Sequence, residues 1–148
     1  MKLTSSEFED GEFMPEKYGN TRENVNPPLK IEEVPEEAQS LVLIMDDPDA
    51  REAAGKIWEH WTVWNIDPDT EEIEADSSPG IEGMTDFRKR GYGGPNPPDG
   101  VHLYYFKLYA LDKELDLPED ARKEDVEEAM ESHIIEETEL TAKFDRLS

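Results

Sequence analysis

Three histidines, His60, His102 and His133, supply all the imidazole in this chain, so any ring-based site at neutral pH draws on them. His60 and His102 each stand at the edge of a stretch with strand character, and the carboxylates Asp47 and Asp49 follow a third such stretch. Tyr104, two residues beyond His102, adds a phenol. A carboxylate beside an imidazole orients the ring and favours its cation, which then donates to a phosphate or carboxylate ligand, and a phenol O–H does the same. A sheet that set these strands side by side would converge two imidazoles, one or two carboxylates and a phenol on one small oxyanion.

The stretch that has to position them runs from Gly91 to Ala110, GYGGPNPPDG followed by VHLYYFKLYA. Its first half is a loop in which glycines reach backbone angles closed to other residues, while Pro95, Pro97 and Pro98 fix theirs and lack donors. Its second half is β-branched and aromatic, and strand alternation puts His102, Tyr104 and Phe106 on one face. Backbone N–H groups of this glycine-bearing loop could then complete a shell around an anion. The plainer alternative is a connecting loop followed by a core strand.

Each candidate has such an alternative. Asp47-Pro48-Asp49 recurs as Asp67-Pro68-Asp69 in what reads as an ordinary hairpin, so the tripeptide alone says little. A lone histidine is commonly a satisfied structural residue, and His133 reads that way. Arg88, Lys89 and Arg90 form either a solvated loop or a cationic rim, with Arg88 and Arg90 its members.

Composition narrows the class. With 38 acidic and 15 basic residues the formal net charge is −23, which argues against nucleic acid, whose phosphates need basic surfaces. The acids are spread through every segment, and 35% hydrophobic content is enough to fold, so disorder is the weaker account. In dilute buffer this charge repels itself, whereas near molar salt the screening length shrinks to about 3 Å. A salt-loving cytoplasm is the expectation, and the melting temperature should rise from dilute buffer to molar KCl; a flat or falling series would count against it. There is no cysteine, no signal-like N-terminus and no run of about 18 apolar residues, so we expect a cytoplasmic protein without stable membrane insertion.

At 148 residues one domain over 1–148 is expected. Residues 1–39 read as short strands and turns around Pro15, Pro27, Pro28 and Pro35. Leu41 to Met45 is a strand covered on both faces, Trp58 to Ile66 another, and Glu72 to Ala75 its returning partner. Residues 76–90 break any pattern. Asp120 is placed to cap a helix over Ala121 to Ser132, and Ile134 to Phe144 alternates as a half-exposed strand. The sum is a mainly β chain, an antiparallel β-sandwich with short peripheral helices.

Nucleophile elbow, Walker loop, dinucleotide glycine pattern and zinc helix are all missing from the sequence. Two histidines and an aspartate could ligate a metal, but nothing in their spacing demands one, and no cofactor is expected.

The ordered stretches Asp47-Pro48-Asp49-Ala50, His60-x-x-Val63-x-Asn65 and Gly91-Tyr92-Gly93-Gly94-Pro95-x-Pro97-Pro98-x-Gly100-x-His102-x-Tyr104 resemble the signatures of the phosphatidylethanolamine-binding protein family. They look most like its bacterial and archaeal branch, often labelled Raf kinase inhibitor-like. Pro27-Pro28, Val34-Pro35-Glu36 and the ending from His133 through Phe144 are similar too, so the resemblance covers essentially the whole chain.

It implies a β-sandwich with a small anion pocket at one end that accepts phosphate-like groups and phospholipid headgroups. Carried over by position, the pocket uses Asp47, His60, His102 and Tyr104, with Gly94, Pro95 and Pro97 shaping its wall and Asp49 at the rim. The family usually has proline where Arg51 stands, which adds a cation near the mouth, and commonly a basic residue where Leu103 stands. Leu103 alternates to the face opposite His102 and Tyr104. The reading is a binding module for a small anionic or phosphorylated ligand, with a protein partner such as a kinase or protease as a further expectation. The rival is a small phosphoester hydrolase with His60 or His102 as general acid or base, for which no nucleophile is evident nearby.

Overall fold

The computed structural model describes residues 1–146, the side chains of residues 52 and 53 excepted. The apolar run predicted as a buried strand forms β3 (Ser40–Asp47), in which every residue is buried. Around it stand β4 (Trp58–Ile66), β6 (Ile81–Glu82), β7 (Val101–Leu111) and β8 (Ile134–Asp145), in an antiparallel sheet of order β6-β4-β3-β7-β8. The short N-terminal strands β1 (Lys2–Thr4) and β2 (Leu29–Glu32) join β5 (Glu72–Ile73) in a second antiparallel sheet of order β1-β2-β5.

The two sheets pack face to face. Leu3, Leu29, Ile31 and Ile73 from the smaller sheet share a core with Leu41, Leu43, Met45, Trp61, Val63, Phe106 and Leu140 from the larger. The other face of β3 carries Val42 and Ile44, which meet Trp64, Leu111, Ala121, Val126 and Met130. That second layer is why β3 lacks a polar face: it is central in its sheet and covered twice. The architecture is mainly β, two antiparallel sheets with one helix of two turns, α2 (Lys123–Met130), and the single turn α1 (Arg51–Ala54).

Three expectations about elements need correction. The stretch after Asp67-Pro68-Asp69 does not return along β4, because β5 pairs with β2 through Leu29↔Ile73 and Lys30↔Glu72. The edge of β4 is taken by β6, with Val63↔Glu82 and Trp64↔Ile81, from a segment read as patternless. Asn65 helps to turn the chain away: it adopts φ 54° and its amide is held by both backbone groups of Leu115.

The helix starts at Lys123, not Ala121, since the Ala121 N–H is spent on Pro118 O and the Asp125 carboxylate accepts from the Arg122 N–H. It ends at Met130 instead of Ser132. The polar link after Asp49 also contains α1, which matters below because Ala54 faces the site.

Candidate functional site

Three strands end at one side of the sandwich. Asp47 closes β3, His60 lies near the start of β4, and His102 and Tyr104 open β7. In the β3–β4 ladder Met45 pairs with Trp61 and Asp46 with Glu59, so His60 has no opposite residue. It is the extra residue of a β-bulge, a device that re-aims a side chain and leaves its backbone groups unpaired. Those groups turn to the glycine loop: Gly93 N–H donates to His60 O at 2.9 Å, and the His60 Nδ1–H donates to Gly93 O at 2.7 Å. The ring is thereby clasped, and it packs edge-on against Tyr104 and Phe87 with centroids 5.1 and 5.3 Å apart.

A cavity of about 210 Å³ opens beside this ring. It is lined by Asp47, His60, Tyr104, Trp58, Phe87, Asn96 and Pro98, with Ala50 and Ala54 from the turn after β3. Burial pushes the His60 pKa down to about 4, outweighing its hydrogen bond to Gly93 and the nearby Asp46 and Asp86 charges, so the ring is neutral at pH 7. The Tyr104 hydroxyl is buried with Asp47 and the Asn96 backbone N–H within reach, and neither contact has the geometry of a full hydrogen bond. Burial, followed by the Asp47 charge, raises its pKa, so it keeps its proton and remains a donor.

His102 does not line this cavity. Its ring stacks on Tyr104 at 6.4 Å and lies between two carboxylates, Nδ1–H donating to Asp47 Oδ2 at 2.6 Å and Nε2–H to Asp99 Oδ1 at 2.9 Å. Burial opposes its charge, but the two carboxylates outweigh it and hold its pKa above the ordinary histidine value. Burial lifts the Asp47 carboxyl while the imidazole pulls it down. The Asp47–His102–Asp99 chain forms a wall between the cavity and a shallow outer surface that carries Asp49 and Arg51.

The remaining candidates fall behind or beside the site. Gly94, Pro95 and Pro97 are buried, while Asn96 and Pro98 between and after them face the cavity. The Gly94 N–H donates to Asn24 Oδ1 at 2.7 Å, so neither it nor the Gly93 amide is open to a ligand. Asp49 is a tie: its amide donates to Asp47 Oδ1, and its carboxylate accepts from Leu103 N–H at 2.8 Å. The control turn is built alike, Asp69 N–H donating to Asp67 Oδ1 at 2.8 Å, so the tripeptide encodes a turn and only its place makes one copy part of a site.

Arg88, at φ 63°, and Arg90, held by Glu82 O and Glu119, are exposed and do not line the cavity. His133 is paired with Asp112 at 2.8 Å on the surface.

The match to known proteins is consistent along the chain. The family model described as phosphatidylethanolamine-binding protein matches residues 4–145. This chain belongs to the phosphatidylethanolamine-binding protein family. A UPF0098 protein of Methanothermobacter thermautotrophicus is 44% identical, covering 99% of each chain. Another from Chlamydia trachomatis is 39% identical, again over 99% of each. Among solved structures, a phosphatidylethanolamine-binding protein homologue from Chlamydia trachomatis superposes with a TM-score of 0.91 at 39% identity, covering 96% of this chain and 95% of that one. YbcL of E. coli, described as a member of the mammalian family, gives 0.88 at 28% identity, with 97% and 96% covered. The bacterial and archaeal branch of the phosphatidylethanolamine-binding proteins is thus supported, and with it a fold that generally serves ligand binding.

Seven site residues of this family member escaped the sequence reading: Ala50, Asn96 and Pro98, which lie next to predicted positions, and Trp58, Asp99, Phe87 and Ala54. Trp58 stands two residues before His60 and so shares its side of β4, a signal that strand alternation made available. Asp99 lies three residues before His102 in the loop already singled out. Phe87 and Ala54 come from segments without a pattern, and only the tertiary structure brings them in.

Proposed function

We propose that this family member is a binding module for a small phosphate-like anion or phosphorylated headgroup, held in the cavity beside His60 and Tyr104. The observation that carries the reading is the Tyr104 hydroxyl, buried and protonated at the cavity wall, with Asp47 and the Asn96 N–H near it but no well-formed hydrogen bond to either. Leaving such a group unsatisfied costs about 1–3 kcal/mol, a cost that a ligand oxygen would remove. A volume of about 210 Å³ suits a headgroup-sized ligand, and the walls of Trp58, Phe87 and Pro98 suit an apolar substituent on it. Asp47 meets any cationic part of the headgroup. His102 acts one step back, holding Asp47 in place instead of touching the ligand.

Hydrolysis is the weaker reading, because no serine or threonine hydroxyl or cysteine thiol lines the cavity among the described residues. No helix among the described residues is long and apolar enough to cross a membrane. The charge of −23 supports a salt-rich cytoplasm as the setting, and regulation of a kinase or protease partner would act through the surface around the mouth.

Tyr104→Phe tests the reading. It removes only the hydroxyl, so affinity for inorganic phosphate should weaken by about 10-fold to 100-fold, the worth of a hydrogen bond to a charged group. Thermal stability should hold or rise, since an unsatisfied buried polar atom is lost. Unchanged phosphate affinity in the phenylalanine variant would remove the basis of the proposal.

A further inference from the structure

We infer that the cavity takes its phosphate-like ligand with a proton attached: the P–OH of a phosphomonoester monoanion donates to His60 Nε2, and a second ligand oxygen accepts from the Tyr104 hydroxyl. The inference rests on the anion-binding reading above and narrows the ligand class to oxyanions that bring a hydrogen of their own.

The geometry begins at Gly93 O. A carbonyl can only accept, so the 2.7 Å contact places the hydrogen on His60 Nδ1. In the neutral ring Nε2 then holds a lone pair and no hydrogen. The ring is 2% exposed and enclosed by Phe87 and Tyr104, so charging it from solvent is unfavourable. His102 offers no substitute, because both its N–H groups are already engaged by Asp47 and Asp99.

A fully ionised oxyanion beside His60 therefore meets the Nε2 lone pair and the Asp47 carboxylate, both of which repel it, against the Tyr104 O–H and the N–H groups of Asn96 and Trp58, which line the same cavity and carry no full charge. A P–OH group changes the sign of the contact at Nε2 from repulsion to a hydrogen bond. Acceptor and donor then line the same cavity on rings packed against each other, a pair that the P–OH and P–O⁻ of one phosphate complement. Phosphodiesters and sulfate have no such hydrogen near neutral pH, whereas a phosphomonoester keeps it below its second pKa of about 6.

Several titratable groups face this ring. Asp47 from β3 and Tyr104 from β7 share the cavity with it, Asp46 lies on the opposite face of β3, and Asp86 approaches from the loop that carries Phe87. His102 and Asp99 stand behind Asp47. Lys107 and Lys123 neutralise Asp46 from the far side, and Lys56 and Arg122 neutralise Asp86. None of these cations reaches the cavity wall.

Calorimetric titration of the whole protein with methyl phosphate, dimethyl phosphate and sulfate, at constant ionic strength from about pH 5 to 8, tests this. Methyl phosphate should lose about tenfold in affinity for each pH unit above its second pKa near 6. Dimethyl phosphate and sulfate should bind at least about tenfold more weakly than methyl phosphate at about pH 5.5, the worth of one hydrogen bond. Because sulfate keeps its charge across the range, its curve reports titration of Asp47, His102 and their neighbours, and only the excess slope belongs to the ligand proton.

His60→Gln puts a permanent N–H donor near Nε2 and should flatten the excess slope and bring the diester level with the monoester. Methyl phosphate binding as tightly at pH 8 as at pH 5.5, or a diester binding equally well to the wild type, would overturn the inference and leave the anion reading standing. If none of the three binds at any pH, both fall.

Discussion

Gly94→Ala should lose about 3–5 kcal/mol of folding stability, the largest effect expected of any single methyl group in this protein. A Cβ at this position would stand 2.1 Å from Tyr18 O and 2.9 Å from both Asn20 N and Gly19 C. All three are backbone atoms, so no rotamer change can make room. Moving the segment away would break hydrogen bonds that join it to the loop: Asn20 N–H to Pro95 O at 2.9 Å, Gly94 N–H to Asn24 Oδ1 at 2.7 Å and Tyr92 O–H to Tyr18 O at 2.9 Å.

The contrast is Gly11, where φ is 83° but an added Cβ meets nothing within 4 Å. Alanine there pays only for the left-handed backbone, about 1–2 kcal/mol. Denaturant unfolding of both variants in the same salt decides between steric and conformational causes. A loss below about 1 kcal/mol at Gly94 would mean that the 18–24 segment yields freely and does not buttress the loop.

Acid should remove about 3 kcal/mol of stability through His60 alone as pH falls from about 6.5 to about 4. The sign follows from the direction of the shift. The folded protein holds this ring neutral at pH values where the unfolded chain would protonate it, so the unfolded state binds the extra proton. The stabilisation is complete above the unfolded pKa and is lost as pH drops through the folded one.

His102 works the other way, because its folded pKa is raised: its contribution is present below the unfolded value and is lost as pH rises through the folded one. Chemical unfolding at intervals from pH 7 to 4, for wild type and His60→Gln, isolates the first effect as the difference between the two curves. Parallel curves would show that His60 is not the buried neutral base described above.

Much of the frame was legible from local pattern. β4 covers the predicted Trp58 to Ile66, β7 contains the predicted Val101 to Ala110, and β8 keeps Leu140, Ala142 and Phe144 buried on alternating positions. Each is decided by neighbours one or two residues away, which is the range over which strand alternation operates. The family signatures carried the fold further than pattern alone, to a two-sheet antiparallel sandwich.

The partner of β5 was misread because hairpin logic favours adjacency, while Asn65, tied to Leu115, redirects the chain to the other sheet. The wall of the cavity was likewise shifted by one position. Gly94, Pro95 and Pro97 are the conformationally distinctive residues of the loop, and for that reason they pack inward and leave Asn96 and Pro98 to face the cavity.

From the sequence alone came which residue types could meet an oxyanion, which strands carry them and that a chain of net charge −23 disfavours nucleic acid as a partner. What only the folded molecule decided is the state of each ring. A one-residue bulge opposite Met45 and Asp46 aims His60, and a carbonyl 33 positions away settles which of its nitrogens bears the hydrogen. A carboxylate 55 positions from His102 engages that ring, which lies outside the cavity lining. Hydrogen-bond direction depends on which partner arrives from afar, and no periodicity within one strand records it.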